Sequence, residues 1–139
     1  MLERLAFVGI CLMAPLPALA APASPAEKAP ARPSLNLENT KKELESGDET
    51  RALAALDQIE LSGDRKAAPL IDGLLSRGAN SKLLLRAMGV AGALGQESSS
   101  AALAPYVQHR SPEVRRAAAQ SLTRTKGPVA IKALRLALR

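Results

Sequence analysis

Aromatic side chains are almost missing from this 139-residue chain, at 1% of its residues: Phe7 and Tyr106 are the only ones, and there is no Trp. Strands draw on Val, Ile, Thr and the aromatics, so a chain rich in Ala and Leu with so few rings argues against a sheet and for an all-α fold. The same scarcity removes stacking platforms for bases or sugars, which makes nucleic acid an unlikely partner. Cysteine and histidine occur once each, as Cys11 and His109, too few for a zinc site of the usual kind. No cofactor or metal is implied. Serines are plentiful, but the only imidazole cannot be placed beside any of them, so nothing in the sequence identifies an activated nucleophile, and the chain reads as a non-enzyme.

Long apolar runs are also absent. The longest, from Leu5 to Ala14, follows Arg4 and ends before Ala18-Leu19-Ala20, small residues of the kind signal peptidase accepts. The run is well short of the ~20 residues that span a bilayer. Residues 1–20 are therefore expected to be a Sec-type signal peptide cleaved after Ala20, giving a periplasmic or secreted protein with no transmembrane segment in its mature chain. A lipoprotein reading fails on Ile10, which stands before Cys11 where a small residue is needed. Cleavage would leave no cysteine, so packing alone holds the fold. Residues 21–34 are dense in Pro and Ala and carry little to bury, as expected of an extended linker.

From residue 35 the punctuation repeats. Ser46-Gly47-Asp48 and Ser62-Gly63-Asp64 are the same tripeptide sixteen residues apart. Gly suits the left-handed position that ends a helix and Asp suits the cap that starts the next. Gly78, Gly95, Ser98-Ser99-Ser100, Ser111-Pro112 and Gly127-Pro128 continue the pattern, and predict helices over 37–46, 49–61, 65–77, 82–94, 99–109, 113–125 and 129–138. A shift of 31 residues lays Val114 on Leu83, Leu134 on Leu103 and Leu138 on Val107, and a further 32 lays Leu103 on Ile71 and Val107 on Leu75. That register implies a short α-solenoid of about three helical hairpins plus an N-terminal helix. Gly89 and Gly92 stand mid-helix, where each costs roughly 0.8–1 kcal/mol against Ala, so a neighbouring helix is expected close against them.

The segment from Ser111 to Leu138 is the best-preserved unit. With Ser111-Pro112-Glu113-Val114-Arg115-Arg116 opening one helix, Ala117-Ala118-Ala119 and Leu122 along it, and Ala130-Ile131 and Ala133-Leu134 on the next, it resembles a HEAT-like repeat of the short kind seen in bilin lyase-type repeat proteins. The resemblance extends over residues 81–107 and is faint before Gly78, and it implies an interaction scaffold over residues 35–139. A lyase-like enzyme or enzyme accessory shares these repeats and is the alternative that the resemblance allows, although no residue of this chain supports it. Two positions depart from the pattern. Thr125 stands where an apolar residue is usual, and Ser98-Ser99-Ser100 lies where Ile131 predicts something larger, so the second helix of that unit should be shorter or looser.

Charge gives the sharpest functional clue. The chain carries +6, yet from residue 21 to 107 ten Lys and Arg face eleven Asp and Glu, whereas from 108 to 139 eight face one. At 100° per residue Lys132, Arg135 and Arg139 share one stripe of the last helix, beside an apolar stripe of Ile131, Leu134 and Leu138. With Arg115 and Arg116 on the preceding helix they form a candidate basic surface for an unknown, acidic protein or for an anionic envelope polymer or lipid headgroup; a merely solvated face is the alternative. Val129 and Leu136 point to another side of that helix, either to pack on its neighbour or to form a docking edge. His109 ends a helix and is expected to act as a polar cap there.

Overall fold

A computed structural model of the protein describes residues 35–138. The expected signal peptide and linker, and Arg139, lie outside the described residues. Seven α-helices follow one another with no strand among the described residues: α1 (Leu37–Glu45), α2 (Glu49–Ser62), α3 (Ala68–Arg77), α4 (Ser81–Leu94), α5 (Ser100–Leu103), α6 (Pro112–Thr125) and α7 (Gly127–Ala137). A 3-10 turn, Arg65–Ala67, leads into α3, and two more, Glu97–Ser99 and Ala104–Gln108, flank α5. The second helix of the middle unit is thus broken into short pieces, as the serine run anticipates.

The repeated tripeptides do the same work twice. Gly47 and Gly63 take positive φ angles of 75° and 61°. Asp48 then accepts from the Thr50 amide and Asp64 from the Lys66 amide, each at 2.9 Å. Asn80 caps α4 by accepting from the Leu83 amide at 2.9 Å. The serines expected to cap α5 do not do so, and neither does Ser111 cap α6, where Pro112 supplies the preset first turn instead.

The helices form two layers. First helices α2, α4 and α6 pack side by side, α3 and α5 continue the second layer beside α1, and α7 closes it against α5 and the 3-10 turn Ala104–Gln108. Each of α1, α3 and α5 also packs on the first helix that follows it, so α1 behaves as the second helix of a preceding half-unit. One core of Leu, Ile, Val, Met and Ala runs between the layers, with Leu56, Ile59, Ile71, Leu75, Met88, Leu103, Leu122 and Val114 fully buried. Alanines at the contacts keep the helices thin, which is why the missing rings are not missed.

The tightest contact is between α4 and α6. A Cβ built on Gly92 would lie 3.0 Å from Ser121 Cα, and the Ser121 hydroxyl donates to the Met88 carbonyl at 2.7 Å. Gly89 is a correction: a Cβ there meets nothing within 4 Å, so its lack of a side chain serves no close approach. At the α6–α7 junction Ser100 Oγ lies 2.9 Å from Thr125 Oγ1 and 3.1 Å from the Lys126 carbonyl oxygen, all in the interior. Two of the polar positions that depart from the repeat pattern, Ser100 and Thr125, are therefore partners, and the Thr125 hydroxyl donates in turn to the Leu122 carbonyl.

Candidate interaction surface

Ion pairs are unevenly spread over the array. Among the described residues they join Arg51 to Asp48, Arg77 to Glu45, Lys82 to Glu49, and Arg86 to both Asp57 and Glu60. Every one lies before α6, and those between successive first helices set a cation of the later helix on carboxylates of the earlier one. Arg86 of α4 illustrates this, its guanidinium held above its ordinary pKa first by the hydrogen bond to Asp57. The groove between the α1–α2 and α3–α4 turns is lined by the Arg77–Glu45 pair and by Asn80, which donates to Glu49, so those side chains are already engaged.

The last unit differs. Arg116, Arg124, Lys126, Lys132 and Arg135 are exposed, and no carboxylate of the described residues lies within ion-pair distance of them. Lys132 and Arg135 share the outward side of α7. Arg115 has structural work as well: its Nη1 donates to the His109 and Arg110 carbonyls at 2.9 and 3.1 Å, tying down the turn that enters α6. Arg139, the third member of the expected stripe, lies outside the described residues.

The expected apolar stripe on α7 needs correction. Leu134 packs against the core, but Ile131 and Leu138 are exposed, and the buried positions are Ala130 and Ala133. Amphipathic periodicity places large aliphatics inward; on α7 the small alanines take that place because the helix sits close on the preceding unit. Val129 and Leu136 are partly exposed, at 41% and 46%. Two aliphatic pairs, Val129 with Leu136 and Ile131 with Leu138, thus flank Lys132 and Arg135 on the outward half of the helix.

His109 Nδ1 accepts from the Ser111 amide at 3.2 Å, so its ring serves the turn that follows it. Lys126 is a residue that sequence reasoning missed. It is the one non-glycine of the described residues at positive φ, with φ 61° and ψ −161°, a region that glycine almost monopolises. Its neighbour Gly127 was the visible signal, but Gly127 is where α7 begins, and its bare Cα faces the Glu97 side chain, 2.5 Å from where a Cβ would stand. In the second layer, Asp72 Oδ1 is buried with no hydrogen-bond partner, and burial pushes the Asp72 carboxyl above the usual range.

No group of three or more His, Cys, Asp or Glu is arranged to hold a metal ion among the described residues, and no helix there is long and apolar enough to cross a membrane. A family model described as HEAT repeats matches residues 67–139, more than half of the chain and from α3 onward. No curated protein and no solved structure matches it.

Proposed function

Since the chain belongs to the HEAT-repeat family, we propose that it is an exported, non-catalytic protein-interaction module whose last repeat meets an acidic partner protein. The observation that carries the reading is the change in ion pairing along the array. Up to α4 the cations Arg51, Arg77, Lys82 and Arg86 are ion-paired within the chain while Lys41, Lys42, Arg65 and Lys66 are not, whereas from α6 onward none of the exposed cations Arg116, Arg124, Lys126, Lys132 and Arg135 has a carboxylate of the described residues within ion-pair distance. Unpaired like charges on one unit repel, and a partner that brings carboxylates removes that cost and gains electrostatic steering. Aliphatic side chains beside the cations favour a protein partner over a purely ionic polymer, because an ionic polymer has nothing apolar with which to cover them.

Capture of cross-linked partners from an envelope fraction at low salt, comparing wild type with Lys132→Glu, Arg135→Glu and Arg139→Glu combined, tests the contact. Loss of the captured protein supports it and undiminished capture overturns it. Export is tested separately. The mature N-terminus should read Ala21-Pro22-Ala23-Ser24 in the envelope or medium, and an uncleaved chain confined to the cytoplasm refutes the localisation.

A further inference from the structure

The register of the repeats shows what the exposed aliphatics of α7 correspond to. Ile131 falls on Ser100 in the middle unit and on Ala68 in the first, and Leu138 falls on Val107 and Leu75. In both earlier units these positions are covered: Ala68 and Leu75 are 3% and 1% exposed, Ser100 and Val107 0% and 3%. What covers them is the following unit. Ser100 lies against Thr125 and Lys126 at the end of α6, and the Tyr106 hydroxyl donates to the Leu75 carbonyl. In the last unit the same two positions are 52% and 89% exposed. Ile131 is also larger than its counterparts Ala68 and Ser100, and Leu138 is as large as Leu75.

We propose that the Ile131–Leu138 edge of α7 is a docking seam for an acidic amphipathic helix of a partner protein, which takes the place that a following repeat takes in the two earlier units. The inference rests on the function proposed above and specifies how the partner binds. Charge selects the occupant. Between first helices, ion pairs join α2 to α4, where Asp57 and Glu60 of the earlier helix receive Arg86. On the second helix α7 it is the cations Lys132 and Arg135 that stand beside Ile131, so the incoming helix must carry Asp or Glu along the flank of its apolar face. A second copy of this chain fits poorly, because its first described helix, α1, belongs to the second-helix layer, whereas the seam receives a first helix.

The test uses the full chain and a synthetic helical peptide of about four turns, with leucines on one face and glutamates along the flank, labelled for fluorescence anisotropy. A version with every Glu replaced by Lys is the control. Wild type is expected to bind the Glu peptide and not the Lys peptide. Ile131→Ser with Leu138→Ser should weaken binding by about tenfold or more at both low and high salt, whereas Lys132→Glu with Arg135→Glu should weaken it chiefly at low salt. Both Ser substitutions are on exposed side chains, and unchanged thermal unfolding checks that the fold is intact. Equal binding of the two peptides overturns the proposal, as does affinity indifferent to Ile131 and Leu138. So does sedimentation of the chain alone as an oligomer that Ile131→Ser disperses, since the occupant is then a second copy. Binding to phosphatidylglycerol vesicles through the same residues, without binding of the peptide, assigns the edge to a lipid surface and overturns it too. Envelope capture that needs Lys132 and Arg135 but not Ile131 and Leu138 leaves the basic contact standing and removes the seam.

Discussion

Gly89 and Gly92 stand three residues apart on α4, and the same substitution at each should move stability in opposite directions. In a helix, Ala is favoured over Gly by roughly 0.8–1 kcal/mol. At Gly89 nothing lies within 4 Å of the new methyl, so Gly89→Ala should realise most of that gain. At Gly92 the methyl would stand 3.0 Å from Ser121 Cα and 3.2 Å from its Cβ and Oγ. The nearest atom is backbone, so relief requires α4 and α6 to part. Overpacking of this kind costs about 1–3 kcal/mol. Parting the helices also stretches the buried bond from Ser121 to the Met88 carbonyl, and an orphaned buried group costs about 1–3 kcal/mol. After the helix-propensity gain, Gly92→Ala should lose about 1–5 kcal/mol, and Gly92→Leu more. For a domain of this size 1 kcal/mol moves Tm by roughly 4–8 °C. Urea and thermal unfolding followed by far-UV circular dichroism give the comparison, since with no Trp fluorescence offers little. A Gly92→Ala variant as stable as Gly89→Ala would refute close packing as the reason for that glycine.

Other expectations are briefer. The Asp72 carboxyl is raised by burial, so the native state holds its proton longer than the unfolded chain does. Stability from this group is therefore fullest below the ordinary value of 3.8 and declines as pH rises from there through the raised native value. Asp72→Asn should flatten that decline in urea titrations across the acidic range; an unaltered pH dependence would show that Asp72 does not contribute to it. Lys126→Gly should raise stability by about 1 kcal/mol, the relief of a glycine-only backbone conformation less the extra freedom of the unfolded chain. Lys126→Ala should gain nothing, and equal Tm values for the two variants would remove the strain argument.

Helix number and most boundaries could be read from the chain because their causes are local. An Asp cap two residues after a Ser and one after a positive-φ Gly acts through its own neighbours, and Asp48 and Asp64 repeat the geometry almost atom for atom. The run Ser98-Ser99-Ser100 shows the limit of such reasoning. As a local signal it predicts a cap, but Ser100 instead reaches across to Thr125, a residue twenty-five positions away whose own polarity was an anomaly in the pattern. Neither oddity explains itself alone; only the fold brings them together. Gly89 and Gly92 are equally alike in sequence and are told apart by what α6 places beside them. The charge imbalance was legible from counting, whereas the pairing of charges before α6 and its lapse afterwards needed distances.

The orientation of α7 was misread for a reason that bears on function. Periodicity assigns large aliphatics to the buried side, and in a repeat array this is sound only where a neighbouring unit supplies the cover. Each second helix has two sides to satisfy, one toward the unit before it and one toward the unit after it. On α7 the first side is met by Ala130, Ala133 and Leu134, while Ile131 and Leu138 belong to the second side and lie open. An amphipathic reading merges the two sides into one stripe and so hides the open one. The same residues that break the simple stripe therefore form the edge on which the proposed acidic helix would sit, and Lys132 and Arg135 beside them set the charge that such a helix must carry.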